Sequence, residues 1–199
     1  MGDLLHYESD NTVILELLEQ GIHFSEYLLS HFNIQTGQRY PVIAQSEKPG
    51  ISMVRWGMEN PMLPEAPRLS YLYGPSIEKQ ESLHTIFRHQ RILIPIKKFI
   101  YNQDPGTSII IKHPEDKMLW MAGLWYEDQQ GTKGFAVITQ DSGDEQRNKI
   151  RRIPLFISHK SLINNWLDRK NGNIPDLDKL MVAKTKAFVS KESMSEVES

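Results

Sequence analysis

The 199-residue chain has 39% hydrophobic residues, a net charge of −2 and an isoelectric point near 6.4, which suffices for one packed core and excludes a uniformly basic nucleic-acid-binding domain. It contains no cysteine, so disulfides and thiolate chemistry are excluded as well. The longest apolar runs, 92–96 and 119–126, fall far short of the roughly 20 residues of a spanning helix, and the acidic start lacks the basic region of a signal peptide; a soluble, cytoplasmic protein with no membrane partner is expected.

No lysine or arginine precedes Arg39, whereas Asp3, Glu8, Asp10, Glu16, Glu19 and Glu26 do, so the chain begins as an acidic arm. Within it Asp10 or Asn11 can cap a helix carrying Val13, Ile14, Leu17 and Leu18, which Gly21 would end. Residues 40–45 and 52–56 read as strands on either side of a Lys48-Pro49-Gly50 turn. Leu83, Ile86 and Phe87 recur at i, i+3 and i+4, opposite Glu81, His84 and Arg88, which describes an amphipathic helix. It runs directly into a strand over 91–94 that Pro95 should end or leave at an edge.

Three β-rich runs follow, 108–112, 118–126 and 135–139, separated by the His113-Pro114-Glu115-Asp116 turn and the polar loop 127–133. They predict an antiparallel meander. Residues 155–157 read as a short strand after Pro154, and Ser158 as the N-cap of a helix carrying Leu162, Ile163, Trp166 and Leu167, stopped at Asn171-Gly172-Asn173. Residues 190–199 are rich in Ser and Glu and predict a disordered tail, leaving a single domain over 1–189. Consecutive strands with short connections and no internal repeat exclude a doubly wound parallel sheet; the pattern is α+β, mostly β with a few helices.

Most motifs with a known chemistry are absent: there is no P-loop, GxGxxG, GxSxG elbow or EF-hand loop. His84 and His89 are five apart and do not share a helix face, no His, Asp and Glu set has zinc spacing, and neither a metal nor a cofactor is expected. Asp141, Asp144 and Glu145 read as an Asx-rich turn rather than a calcium loop. Basic residues cluster in two places. Arg88, Arg91, Lys97 and Lys98 flank one apolar run, and Arg147, Lys149, Arg151 and Arg152 precede another.

Several short motifs recur in a fixed order: Phe32-Asn33-Ile34 with Gly37, Trp56-Gly57, Arg91 to Pro95 with Phe99, Ala122-Gly123-Leu124-Trp125, Val137-Ile138-Thr139, Arg152-Ile153-Pro154 and the helix after Ser158. In this order and spacing the chain resembles the SOS-response-associated peptidase (SRAP) family. The resemblance implies a compact α+β fold around an antiparallel, barrel-like sheet. It also implies a role in the response to DNA damage. Proteins of that family lose the initiator methionine, and the exposed cysteine joins its amine and thiol to the ring-opened aldehyde of an abasic site in single-stranded DNA. A glutamate in a GFYEW motif and a histidine in an HxRxP motif assist.

Laid against the family, Gly2 stands in the cysteine's place and Leu4 in that of the following arginine. Tyr101 replaces the glutamate, Ile150 the histidine, and Tyr71 and Tyr73 the asparagine and arginine of an NARxE segment. An aldehyde needs a nucleophile and a matched acid or base, so no permanent crosslink and no catalysis are expected, the reversible imine that a free Gly2 amine would form being a narrower alternative. Two functions stay open. One is a non-catalytic module for single-stranded or damaged DNA, with contacts from Asn33, Trp56, Tyr71, Tyr73, Thr139, Arg151 and Arg152, although Trp56 and Pro154 read more readily as packing residues than as functional ones. The other is a regulatory domain whose acidic arm or Lys97-Lys98 edge engages another protein.

Overall fold

The computed structural model describes residues 4–7, 32–45, 50–77, 79–104, 107–142, 150–157, 160–169 and 188–193. The helix expected over 13–18, the turn at 48–49, Gly2, Asp144, Glu145, Arg147, Lys149, Ser158 and the stop at 171–173 lie outside these residues. In chain order the elements are β1 (Leu4–Tyr7), β2 (Phe32–Gln35), β3 (Arg39–Ala44), β4 (Ile51–Trp56), β5 (Tyr71–Tyr73), α1 (Gly74–Ile77), α2 (Glu81–His89) and β6 (Arg91–Ile96). They continue with β7 (Lys98–Asp104), β8 (Thr107–Lys112), β9 (Leu119–Glu127), β10 (Lys133–Asp141), β11 (Arg152–Pro154), α3 (Lys160–Leu167) and β12 (Phe188–Ser193).

Long, continuous apolar runs form the centre. β6 is buried at every position and β9 and β10 nearly so, the signature of strands covered on both faces. They close with β3 and β4 into a five-stranded barrel in which β10 pairs β4, β4 pairs β3, β3 pairs β6, β6 pairs β9 and β9 returns to β10. The barrel is mixed rather than purely antiparallel, because β10 runs parallel to β4 and to β5. Closure depends on two glycines. Gly57 leaves β4 at φ +115°, and a Cβ on Gly134 would stand 2.5 Å from the Gly57 carbonyl oxygen, so only a bare backbone can lie there. A second sheet, ordered β12-β8-β7-β1-β2 and antiparallel throughout, packs Phe99, Ile109 and Ile111 into the same core.

The expected hairpin is present as β3 and β4, in register from Arg39↔Arg55 to Ile43↔Ile51, and the amphipathic helix as α2, with Leu83, Ile86 and Phe87 buried. Four expectations are corrected. Pro95 lies inside β6 rather than at its end, and only the edge alternative holds: the β3 ladder stops at Leu93, Pro95 pairs Trp120 of β9 on the other side, and its carbonyl accepts a hydrogen bond from the Tyr40 hydroxyl at 2.6 Å. The meander is divided, since β8 pairs β7 and β12 while β9 pairs β6 and β10. The short strand after Pro154 sits earlier, at Arg152–Pro154, because β10 pairs it there and Phe156 makes only an isolated bridge to Met121. Ser190–Ser193, placed by composition in a disordered tail, form the end of β12 against β8, where backbone pairing does not depend on apolar side chains.

Several polar side chains are buried, and Arg91 is the largest of them. Arg91 is completely buried, between the rings of Phe87 and Trp166 at 5.9 and 5.7 Å. It donates to the carbonyls of Phe87 (3.1 Å) and Arg88 (3.2 Å) at the end of α2 and to those of Trp166 (2.7 Å) and Asp168 (3.1 Å) at the end of α3. Helix C-termini carry unpaired carbonyls and partial negative charge, so one guanidinium caps two helices. Burial lowers its pKa to about 10, partly offset by Asp168, and it remains a cation at neutral pH. Among the described residues no helix is long and apolar enough to cross a membrane.

Candidate functional site

The first half of β10 closes the barrel, and its second half leaves it to run between β5 and β11. The registers Thr139↔Tyr73 on one side and Thr139↔Pro154 on the other place Thr139 at the centre of a three-strand ledge. Strand period puts Tyr71 and Tyr73 on one face of β5, and Phe99 and Tyr101 on one face of β7. Tyr71, Phe99, Tyr101, Thr139, Ile150, Arg151, Arg152 and Pro154 together line a cavity of about 590 Å³.

The groups around this cavity are held differently. Thr139 Oγ1 donates to the Leu72 carbonyl at 3.2 Å, which binds β10 to β5. The Tyr71 ring meets the edge of Trp56 at 5.8 Å and 90°, fixing its plane. Ser142 holds the segment leading into β11, its backbone N–H donating to the Arg151 carbonyl at 3.1 Å and its hydroxyl to the carbonyl of Ile150. Tyr73 donates to Asp141 Oδ2 at 2.7 Å, and the Arg152 guanidinium lies 4.1 Å from the centre of the Tyr73 ring. The hydrogen bond to Asp141, with burial and the same carboxylate's charge, raises the Tyr73 pKa above its ordinary value, while Arg152 and Arg151 pull it down. Arg151 and Arg152 are both exposed.

The chain enters beside this cavity. β1 pairs β7 with Leu4↔Ile100, the residue before Tyr101. Among the described residues no group of three or more His, Asp or Glu side chains could hold a metal ion. A second hollow of about 570 Å³, lined by His89, Trp125 and Arg169 among others, contains none of the residues that the sequence motifs single out for DNA.

The profile of the family described as SOS response associated peptidase (SRAP) matches residues 8–199. The chain belongs to the SRAP family. Solved structures show the same fold at low identity: a Bacteroides thetaiotaomicron protein superposes with a TM-score of 0.72 at 15% identity, covering 98% of this chain and 94% of its own. A phage-related protein from Bordetella bronchiseptica gives 0.69 at 18%, covering 98% and 94%, and another protein from that organism 0.68 at 13%, covering 96% and 99%. No curated protein matches the chain by sequence. Membership associates this SRAP protein with the SOS response to DNA damage.

The SRAP motifs do not all converge. Tyr71, Thr139, Arg151 and Arg152 reach the cavity together with Tyr101 and Ile150, the residues set by sequence against the family's glutamate and histidine. Tyr73 lies beside it, engaged by Asp141 and Arg152. Asn33 sits in β2 opposite His6. Trp56 is withdrawn as a DNA-binding residue: it is wholly buried, stacked on Phe135 at 6.5 Å, and its indole N–H donates to the Ser70 carbonyl at 3.1 Å, so no ring face is open to a base. The Lys97-Lys98 edge is corrected too, because Lys97 is buried and donates to the Asp116 carbonyl at 2.7 Å. Phe99 and Asp141 were not expected as site residues. The i, i+2 spacing of Phe99 with Tyr101 is the signal that would have found the first.

Proposed function

We propose that this SRAP protein holds single-stranded or damaged DNA without crosslinking to it. The observation that carries the reading is the convergence of Tyr101 and Ile150 with Thr139 and Arg152 on one cavity. It supports a site whose position is kept while its proton-transfer groups are replaced. The chain has no cysteine, and among the described residues the lining carries no carboxylate and no imidazole to activate an amine or assist imine chemistry. What the lining offers instead is aromatic surface and two exposed guanidinium groups, the parts a strand of phosphates and bases uses.

The experiment incubates the protein with single-stranded DNA containing an abasic site, with and without borohydride, and resolves the products on a denaturing gel beside a salt titration of noncovalent binding. No adduct in either lane, with affinity that falls as salt rises, is expected. An adduct without borohydride overturns the non-crosslinking reading, and one that needs borohydride supports the imine alternative, which peptide mapping of the adduct would assign to the Gly2 amine or to a lysine. Absence of binding at low salt overturns the DNA reading and leaves a domain that engages another protein.

A further inference from the structure

We infer that the cavity selects a nucleotide that still carries its base over the base-free sugar on which SRAP chemistry acts. This rests on the reading that the site holds single-stranded DNA, and it concerns what enters the cavity once the strand is bound. Tyr71, Phe99, Tyr101, Ile150 and Pro154 make the lining predominantly apolar and aromatic, and the Thr139 hydroxyl is already engaged by the Leu72 carbonyl. Among the described residues the ionic groups in the lining are Arg151 and Arg152. Their guanidinium geometry suits phosphate.

An abasic sugar in such a space is poorly matched. Its hydroxyl and aldehyde or hydrate oxygens lose water on entry, and a polar group buried without a new hydrogen bond is disfavoured. Phe99, Ile150 and Pro154 supply no such partner, which leaves the tyrosine hydroxyls and the guanidinium groups at the rim as the polar groups of the described lining. A base, in contrast, presents a planar face to Tyr71 and Tyr101, and stacking on an aromatic side chain strengthens binding by about five- to hundredfold per base. The edge contact with Trp56 fixes the Tyr71 ring before any ligand arrives, so little ordering is needed. The cavity volume, about 590 Å³, lies inside the roughly 300–1,000 Å³ typical of small-molecule sites.

Arg152 completes the arrangement from the rim. Its contact with the Tyr73 ring, 4.1 Å from the centroid, restrains a flexible cation beside the opening, while Asp141 holds the tyrosine. A phosphate bound there would place its neighbouring base at the cavity mouth. Tyr73 is therefore a positioning residue, and Tyr71 and Tyr101 are the stacking residues.

The test compares two short strands of equal length and charge by fluorescence anisotropy at one low salt concentration: oligothymidylate, and the same backbone with a tetrahydrofuran abasic analogue at every position. The intact strand is expected to bind at least about fivefold more tightly, from one stacked base. Tyr101→Glu, which restores a carboxylate to the lining, should shrink that ratio, with thermal unfolding confirming that the variant folds. Equal affinities, or tighter binding of the base-free strand, overturn the inference and leave DNA binding intact. If neither strand binds, the DNA reading itself fails, and this one with it.

Discussion

At the junction of α2 and α3 an arginine is completely buried and directs its donors to four backbone carbonyls, whereas at the cavity rim another arginine lies exposed over a tyrosine ring. Both belong to short motifs by which the SRAP resemblance is drawn, Arg91 in the run ending at Pro95 and Arg152 in Arg152-Ile153-Pro154. The difference teaches that retention of a motif in a diverged member has two physical causes. A cation that caps two helices from the inside is held by folding alone. A cation on the surface can be exchanged with little loss of stability, so its role has to be sought in what it binds.

The strongest way to break this comparison is to remove the buried cation. Arg91→Met keeps the volume of the side chain but leaves the Phe87, Arg88, Trp166 and Asp168 carbonyls without it. Taking one partner from a buried charged network costs roughly 3–5 kcal/mol, a large share of a domain's stability. Urea denaturation should show the midpoint falling by that equivalent, or no folded protein at all. Arg91→Lys should recover little, because an ammonium group cannot span both helix ends as the planar fork does. An Arg91→Met protein as stable as the parent would remove the distinction between the two arginines.

The rim arginine should behave in the opposite way. Arg152→Ala is expected to leave the urea midpoint nearly unchanged, within about 0.5 kcal/mol, while the slope of log affinity for single-stranded DNA against log salt falls by about 0.7 for each phosphate that the variant no longer neutralises. Unchanged salt dependence would place the phosphate-binding cations elsewhere.

The reason the sequence does not separate these arginines is that burial of a side chain is decided by elements distant in the chain. Trp166, which covers Arg91, is far from it in sequence, as Tyr73 is from Arg152. Patterns that depend on near neighbours were legible: the i, i+3, i+4 spacing of Leu83, Ile86 and Phe87 gives α2, and the apolar runs give β6, β9 and β10. β7 was missed because it passes from Phe99 and Ile100 to Asn102, Gln103 and Asp104, residues of low β propensity that pairing with β8 holds extended. Of the cavity, the lining residues other than Phe99 were named through the family's motif order, whereas their assembly follows from the parallel pairing of β5 with β10, for which no local pattern exists. Trp56 shows the limit of motif reading, since a tryptophan on a strand looks the same in sequence whether its ring faces a base or Phe135.

The smallest effect sharpens the comparison with a carboxylate in place of a cation. Asp128, buried at the start of the loop between β9 and β10, accepts from the backbone N–H groups of Thr132 (2.7 Å) and Gln130 (3.0 Å) and from Arg68 (3.1 Å). The Thr132 hydrogen bond, with smaller help from Arg68 and Gln130 and against the effect of burial, lowers its pKa below 3.8. A carboxyl group whose folded pKa is depressed adds stability above its unfolded value, and this is lost as pH falls through the folded one. Asp128→Asn keeps an oxygen that can accept from the loop but discards the charge. Its melting temperature should therefore be modestly lower than the parent's at pH 7, and the gap should narrow as pH drops below 3.8. A gap that stays constant through that range would mean that the charge contributes nothing and that loop geometry alone fixes Asp128. Backbone satisfaction of buried ions would then be a property of Arg91 and not a rule of this fold.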